Sequence, residues 1–478
     1  MITQLRLANF QSFAESTEIP LAPVTLIFGP NSSGKSSIIR SLLLLKQSIW
    51  NAGMSDILFQ GPDIDLGSHL NVVHRHDANS LISVGLSFNA DKSTGSGATR
   101  VDYEIGSNGV IQSLRQSVSS PKEFKKASRN GKFAKKFDVA SEPGQATVHF
   151  ETSPQSPDTF RVNLELSPGL EALMVAVLSQ SSNRETHLPE NVQSKKIVEM
   201  LESVELEKRS IFADFDFSLP SFRRSSLHEY FTLANLVRKS TNTARFHLLN
   251  MTHLGGLRSI PERIAALSSK SNLIAADGSN VVSLLGSKTE MVEIVSRWFE
   301  RLTNGKYSIA LETYSSERIN FLGDVGSLVL VDNVLQTATT FRDVGVGLSQ
   351  VLPILTALVQ SNGSDNGSEL LLLEQPELHL HPLMQSELVD IIIESSLAKG
   401  SDRPQIVLET HSENMVLRIQ RRIREGTLSP SDVSVIYVHR ETLDGSSQVV
   451  PMPFDKNGDF LVEWPVDFDE LRVKEWLG

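Results

Sequence analysis

The stretch Gly29-Pro30-Asn31-Ser32-Ser33-Gly34-Lys35-Ser36 constrains this chain more than any other. It fills every fixed position of G-x-x-x-x-G-K-[ST]. An apolar run (Val24, Leu26, Ile27, Phe28) precedes it, and a leucine-rich helical pattern from Ile38 to Ile49 follows. Strand, glycine-rich turn and helix in that order let successive backbone N–H groups converge on phosphate oxygens, and the helix start adds positive partial charge. Gly29, Asn31, Ser32, Ser33, Gly34, Lys35, Ser36 and Ser37 are thus expected to cradle a nucleotide. Lys35 would reach the β- and γ-phosphates, and Ser36 would offer its hydroxyl to Mg²⁺.

At 478 residues the chain has room for a large core, or for one core carrying a long insertion. Its formal net charge of -11 argues against a polycation that coats nucleic acid, so any DNA or RNA contact must come from a local patch. There are no cysteines, which excludes a disulfide framework, thiolate zinc and a cysteine nucleophile, and agrees with a reducing cytoplasm. Met1 leads directly into strand-like Ile2, Leu5 and Leu7 without a basic and apolar leader. No apolar run approaches the ~18 residues of a membrane span. The expectation is a cytoplasmic protein with no membrane partner.

In chain order, Gln4 to Phe13 alternates as a strand and passes through a turn at Pro20 to Pro23 into the phosphate-loop strand. Gly61 to Ser68 reads as a loop, and residues 81–88, 99–105, 146–151 and 159–166 read as strands of a meander. Between the second and third lie Lys122, Lys125, Lys126, Arg129, Lys132, Lys135 and Lys136, with Phe124, Phe133 and Phe137 interleaved. A solvated loop and a phosphate-backbone contact both account for that basic segment. From about 169 to 250 the period becomes helical, with one helix marked by Leu170, Leu173, Met174 and Val177, a second at Val192 to Glu207 and a third at Leu227 to Leu249. Asp214 and Asp216 imitate a metal-binding pair but have no acidic company, so an ordinary strand face is the expectation there.

The last third holds the remaining motifs. Val344-Gly345-Val346-Gly347-Leu348-Ser349-Gln350 precedes an apolar helical run, Val351 to Val359, and such a helix start with the Ser349 hydroxyl makes an anion site. Leu370 to Leu373 form a buried strand ending in Glu374, which places a carboxylate for Mg²⁺ beside the phosphate loop. Gln375, Pro376, Glu377, His379, His381 and Pro382 follow as a helix begins; the two histidines lack the further ligands that zinc needs. Another buried strand, Gln405 to Glu409, ends at Thr410-His411-Ser412, ahead of a helix with Arg418, Arg421, Arg422 and Arg424. Residues at strand ends that face one crevice are where an open α/β sheet binds its ligand.

The ordered set GPNSSGKSS, DVGVGLSQ, LLLLEQPELHLHP and ETHSE is similar to the ATP-binding-cassette heads of the SMC, RecF and OLD-type ATPases. It more closely resembles the prokaryotic standalone ATPases of that branch that end in an aromatic, Trp-Pro-containing tail, here Gly458 to Pro465. The resemblance implies an α/β fold: an ABC-type P-loop ATPase head with a mixed sheet and flanking helices, divided as 1–90 and 251–478, and interrupted at 91–250 by a β-plus-helical insertion. It also implies a homodimer in which two heads enclose two ATP molecules, with Lys35 and Ser36 of one protomer facing Ser349 and Gly347 of the other. His411 would contact the γ-phosphate. In one respect the chain departs from the family: the residue after the magnesium carboxylate is usually a glutamate that activates water, and here it is Gln375. An amide cannot accept that proton, though it can orient water; whether Gln375 or Glu377 positions the attacking water stays open. Slow hydrolysis and a long-lived ATP dimer follow.

Three function classes are compatible with these residues. The first is an ATP-gated switch acting on DNA or on a nuclease or toxin partner, in genome maintenance or antiviral defence. The second is an ATP-dependent nuclease of OLD type; the chain after His411 is short for the nuclease domain of that family. The third is the ATPase subunit of a transporter, which normally lacks such an insertion. The first is the expectation.

Overall fold

The structure, a computed structural model, describes residues 1–50, 56–89, 98–120, 144–152, 159–166, 205–207, 242–267, 273–314, 325–362, 370–397, 404–440 and 445–464. The chain divides into two compact units, Met1–Glu18 with Arg40–Leu249, and Ile19–Ile39 with Asn250–Gly478. Three strands open it, β1 (Ile2–Ala8), β2 (Thr17–Pro20) and β3 (Val24–Phe28), followed by α1 (Lys35–Trp50) and the short α2 (His69–Val72).

The first unit is an antiparallel meander. Its strands β4 (Ile82–Phe88), β5 (Thr99–Ile105), β6 (Ile111–Ser120), β7 (Gly144–Thr152), β8 (Thr159–Leu166) and β9 (Glu205–Glu207) lie beside β1 in the order β1-β4-β5-β6-β7-β8-β9. Period-two patterning explains it: Ile82, Val84, Leu86 and Phe88 face inward, as do Val101, Tyr103 and Ile105 of the next strand. On the other face Arg6 pairs with Asp102 and Glu18. Two elements depart from the sequence expectation. β6 was not foreseen, because Ile111-Gln-Ser-Leu-Arg-Gln-Ser-Val carries few apolar residues and its pairing with β5 and β7 makes it a strand. Residues 205–207, expected at the end of a helix, form β9 against β8 for the same reason. Residues 242–249 are helical, as the third expected helix requires. The basic segment 122–136, Asp214, Asp216 and the rest of the helical stretch lie outside the described residues.

The second unit carries the parallel sheet. Its elements are β10 (Met251–Leu254), β11 (Ala265–Ala266), α3 (Val281–Ser287), α4 (Thr289–Leu302), β12 (Tyr307–Tyr314), β13 (Val325–Asp332), β14 (Thr337–Thr340), α5 (Val346–Ser361), β15 (Leu370–Glu374), α6 (Pro382–Leu397), β16 (Gln405–Thr410), α7 (Glu413–Arg424), β17 (Val433–Arg440) and β18 (Ser447–Pro451). The main sheet runs β10-β15-β16-β3-β17-β18, parallel up to β17 and closed by an antiparallel β18. Val24 to Phe28 and Leu370 to Leu373 are buried throughout, the mark of strands covered on both faces. α5 is buried along nearly its whole length and packs with α3, α4, α6 and α7 into one core around these strands. A smaller sheet, β11-β13-β12 with β14 on β13, adjoins it. The fold is a mixed α/β P-loop head, with β3 central in its sheet. Among the described residues no helix is long and apolar enough to cross a membrane.

Candidate nucleotide site

The loop between β3 and α1 turns through three residues of positive φ, Gly29, Ser32 and Gly34. Gly29 lies at φ +147°, and a Cβ there would stand 2.1 Å from the Val438 carbonyl oxygen, so the strand-to-loop passage admits only glycine. Ser32 and Gly34 also take positive φ, which turns the backbone into a concave cradle. Ser447 of β18 donates its hydroxyl to the Ser33 carbonyl and anchors the outer wall. Lys35 is buried, its ammonium donating to the carbonyls of Gly29 at 3.0 Å and Pro30 at 2.6 Å. Burial lowers its pKa, while the carboxylates of Glu409 and Glu377 raise it.

Three adjacent parallel strands deliver the other charged groups to the same end of the sheet. The register pairs Glu374 with Glu409, and Glu409 with Ile27, two residues before the loop. Ser36 donates its hydroxyl to Glu409 Oε1 at 3.0 Å. Glu374, which the sequence singled out as the magnesium carboxylate, lies one strand further out, with Oε1 3.0 Å from His253 Nε2. Strand order decides this: β16 stands between β15 and the loop strand. Glu409 and His253 were not picked out beforehand. The signal for Glu409 was present, since it ends a buried apolar strand just as Glu374 does. His411 follows two residues later; burial and the Lys35 charge lower its pKa, and the Gly29 carbonyl raises it.

Beyond β15 the chain turns sharply. Gln375 sits at φ +44° and donates its N–H to the Glu409 carbonyl at 2.8 Å. Glu377 is buried, and its Oε1 accepts the His411 N–H at 2.7 Å. Burial raises its pKa, against hydrogen bonds from the backbone at His411 and the attraction of Arg258. Arg258 follows β10, and its guanidinium donates to the carbonyls of Glu374 and, at 3.4 Å, Gln375. Burial lowers this arginine to about 10, although Glu377 and Glu374 oppose the shift. No periodic pattern in the sequence marks Arg258, because its role depends on which strands become neighbours. A cleft of about 580 Å³ lies alongside, lined by Gln375, Glu377, His379, His411, Ser412 and Asn414.

The start of α5 carries the glycines and the serine of the expected anion site. Ser349 is buried, and its hydroxyl donates to the Val346 carbonyl at 2.7 Å. Gly347 packs against the backbone of His379, where a Cβ would lie 2.4 Å from the carbonyl oxygen. Gly345 faces open space. His381 serves the helix that follows it, its Nδ1 accepting the Leu383 N–H at 3.3 Å. Among the described residues no group of three or more His, Asp and Glu has the arrangement of a metal site. The aromatic tail packs onto the loop strand through Trp464, 6.4 Å from Phe28, and Phe460, 5.0 Å from Trp464.

The sequence matches the family profile of an AAA ATPase domain over residues 1–416. The search of curated proteins found no match. Among solved structures, the chain is similar to an SMC head bound to the C-terminal winged-helix domain of ScpA, at 14% identity and TM-score 0.39 over 95% of this chain and 98% of that one. It is similar to an Smc head with an extended coiled coil bound to the C-terminal domain of ScpA from Pyrococcus furiosus, at 13% identity and TM-score 0.41 over 100% and 99%. The SMC head from Thermotoga maritima matches at 12% identity and TM-score 0.38 over 94% and 98%.

Proposed function

This chain belongs to the AAA ATPase domain family, and on that premise we propose that it is a nucleotide-gated switch. It binds ATP with Mg²⁺, pairs with a second copy around two nucleotides, and hydrolyses slowly. The observation that carries this reading is the convergence of Lys35, Ser36, Glu374, Glu409 and His411, from distant parts of the sequence, at the same ends of adjacent strands. The Ser36 hydroxyl and the Glu374 carboxylate are hard oxygen donors, which suit Mg²⁺, and Glu409 would support the site by holding the Ser36 hydroxyl. Bound there, the cation would neutralise phosphate charge. Lys35 would exchange its carbonyl partners for phosphate oxygens, and His411 would face the γ-phosphate. Gln375 or Glu377 would orient the attacking water across the adjacent cleft. The start of α5, with Gly347 and Ser349, would meet the partner's nucleotide.

The process served would be DNA-related, in genome maintenance or antiviral defence, with a nuclease or toxin as effector; the basic segment 122–136 supports that reading from sequence alone. Nucleotide binding, light-scattering mass and single-turnover hydrolysis, measured for the parent and Lys35→Ala, test the core of the proposal. The parent should bind ATP, double its mass and turn over slowly. Lys35→Ala should lose about 2–3 kcal/mol of ATP binding, the value of a charge-assisted hydrogen bond. Equal ATP affinity in the two would remove the phosphate-loop assignment. Salt-dependent DNA binding, with and without a non-hydrolysable ATP analogue, tests the DNA role; absence of binding in both states would count against it.

A further inference from the structure

One buried side chain between the start of α5 and the loop after β15 has no part in the function just described. Arg258 is 6% exposed. Gln350 holds its main chain from both sides: the Arg258 N–H donates to Gln350 Oε1 at 3.3 Å, and the Arg258 carbonyl accepts from Gln350 Nε2 at 2.8 Å. The guanidinium reaches the other way, to the carbonyls of Glu374 and Gln375. Its Nε and Nη1 are buried with no hydrogen-bond partner among the described residues, and so is Oε2 of Glu377. A buried cation with donors left over is a poor stabiliser. It suits a group whose remaining donors come into use when neighbouring elements shift.

We propose that Arg258 is a positioning residue for ATP hydrolysis: it holds the Glu374 and Gln375 carbonyls while Gln350 ties its own backbone to the first turns of α5. The loop that orients water is thereby set by where the start of α5 stands. This rests on the proposed pairing of two copies through that helix start. Gln350 directly follows Ser349, so a partner's nucleotide pressing on the helix start displaces Gln350, then the Arg258 backbone, then the two carbonyls. Gln375 is the residue most exposed to such a displacement. A left-handed backbone at a non-glycine residue persists only where its surroundings over-determine it, and the Arg258 contact is one of those restraints. A misplacement of about 1 Å at such a loop is enough to lower a rate roughly 100-fold.

The test compares parent, Arg258→Lys, Gln350→Met and the double variant by single-turnover hydrolysis, KM for ATP and ATP-driven pairing. Arg258→Lys should lower the rate roughly 100-fold with KM and pairing unchanged, since the contacts to the loop are lost and those to nucleotide are not. Gln350→Met, which keeps side-chain length and helix propensity, should lower it about tenfold by loss of the two hydrogen bonds. The double variant should be no slower than Arg258→Lys, because both act through one connection. A parent-like rate in Arg258→Lys, or losses that multiply in the double variant, would overturn the proposal. Should Arg258→Lys fail to fold, Gln350→Met decides: a parent-like rate in it overturns the connection. A parent that binds ATP yet neither pairs nor turns it over removes the switch reading along with this inference, whereas failure of the variants alone removes only this inference.

Discussion

At the scale of single residues, the proposed chemistry is tested at Gln375 and Glu409. Gln375 takes a left-handed backbone, a strain of order 1–3 kcal/mol that clusters at functional loops. An amide there can orient water but cannot remove its proton, so Gln375→Glu should raise the single-turnover hydrolysis rate by roughly 100-fold, the lower range for a general base. An unchanged rate would deny the amide any special part. Glu409 accepts the Ser36 hydroxyl, and that hydroxyl keeps an oxygen lone pair for a cation while it donates its proton. Glu409→Gln preserves shape and removes charge. Mn²⁺ titration of the ATP complex followed by electron paramagnetic resonance should show affinity weakened about tenfold, as loss of a supporting contact to a metal ligand does. ATP binding in the presence of chelator should stay as in the parent, and parent-like Mn²⁺ affinity would release Glu409 from the site.

At the scale of elements, the helices behind the strand ends are held by a charge clamp. Asp390 of α6 is 5% exposed and meets Arg418 and Arg422 of α7, while Arg301 of α4 bridges to Glu387 and Glu394. Burial pushes the Asp390 carboxyl up, but the hydrogen bonds from Arg422 and Arg418 outweigh it and hold the pKa below its ordinary value. The native state therefore binds this proton more weakly than the unfolded chain. The stability it supplies is full above the ordinary value of 3.8 and is lost as pH falls through the depressed one. Asp390→Asn leaves two arginines facing a neutral amide, and should cost about 3 kcal/mol at pH 7. Denaturant melts should show that deficit unchanged down to about pH 5 and shrinking only below the ordinary carboxylate range. A deficit that was absent at pH 7 would make the clamp a surface ornament. Elements with strong patterns, such as β3, β15, β16 and α5, were legible in advance because each is apolar in the period its conformation demands. β6 and β9 were not, since their strand character comes from pairing partners and hardly from their own composition.

At the scale of the whole molecule, the proposed pairing sets the expected behaviour of the α5 start. Ser349 is buried, so a large residue there would damage the core before it could report on a partner. Gly345 is the better probe: it has an ordinary extended backbone at φ -58°, ψ 139° and open space around it. Gly345→Arg should leave ATP affinity and melting temperature as in the parent while abolishing the expected ATP-driven doubling of mass, with light scattering as the measurement. Persistence of that doubling would move the contact elsewhere on the molecule.

The sequence alone determined the phosphate loop, the buried strands and the carboxylates at their ends, because each is written in a run of a dozen residues or fewer whose spacing local geometry enforces. Only the tertiary structure decided which carboxylate meets which partner. Ser36 and Glu409 are 373 positions apart, and their contact, like that of Glu374 with His253 and of Arg258 with the Gln375 loop, follows from strand order. Strand order is set by how whole strands and helices pack their apolar faces together, and no local stretch of residues encodes it.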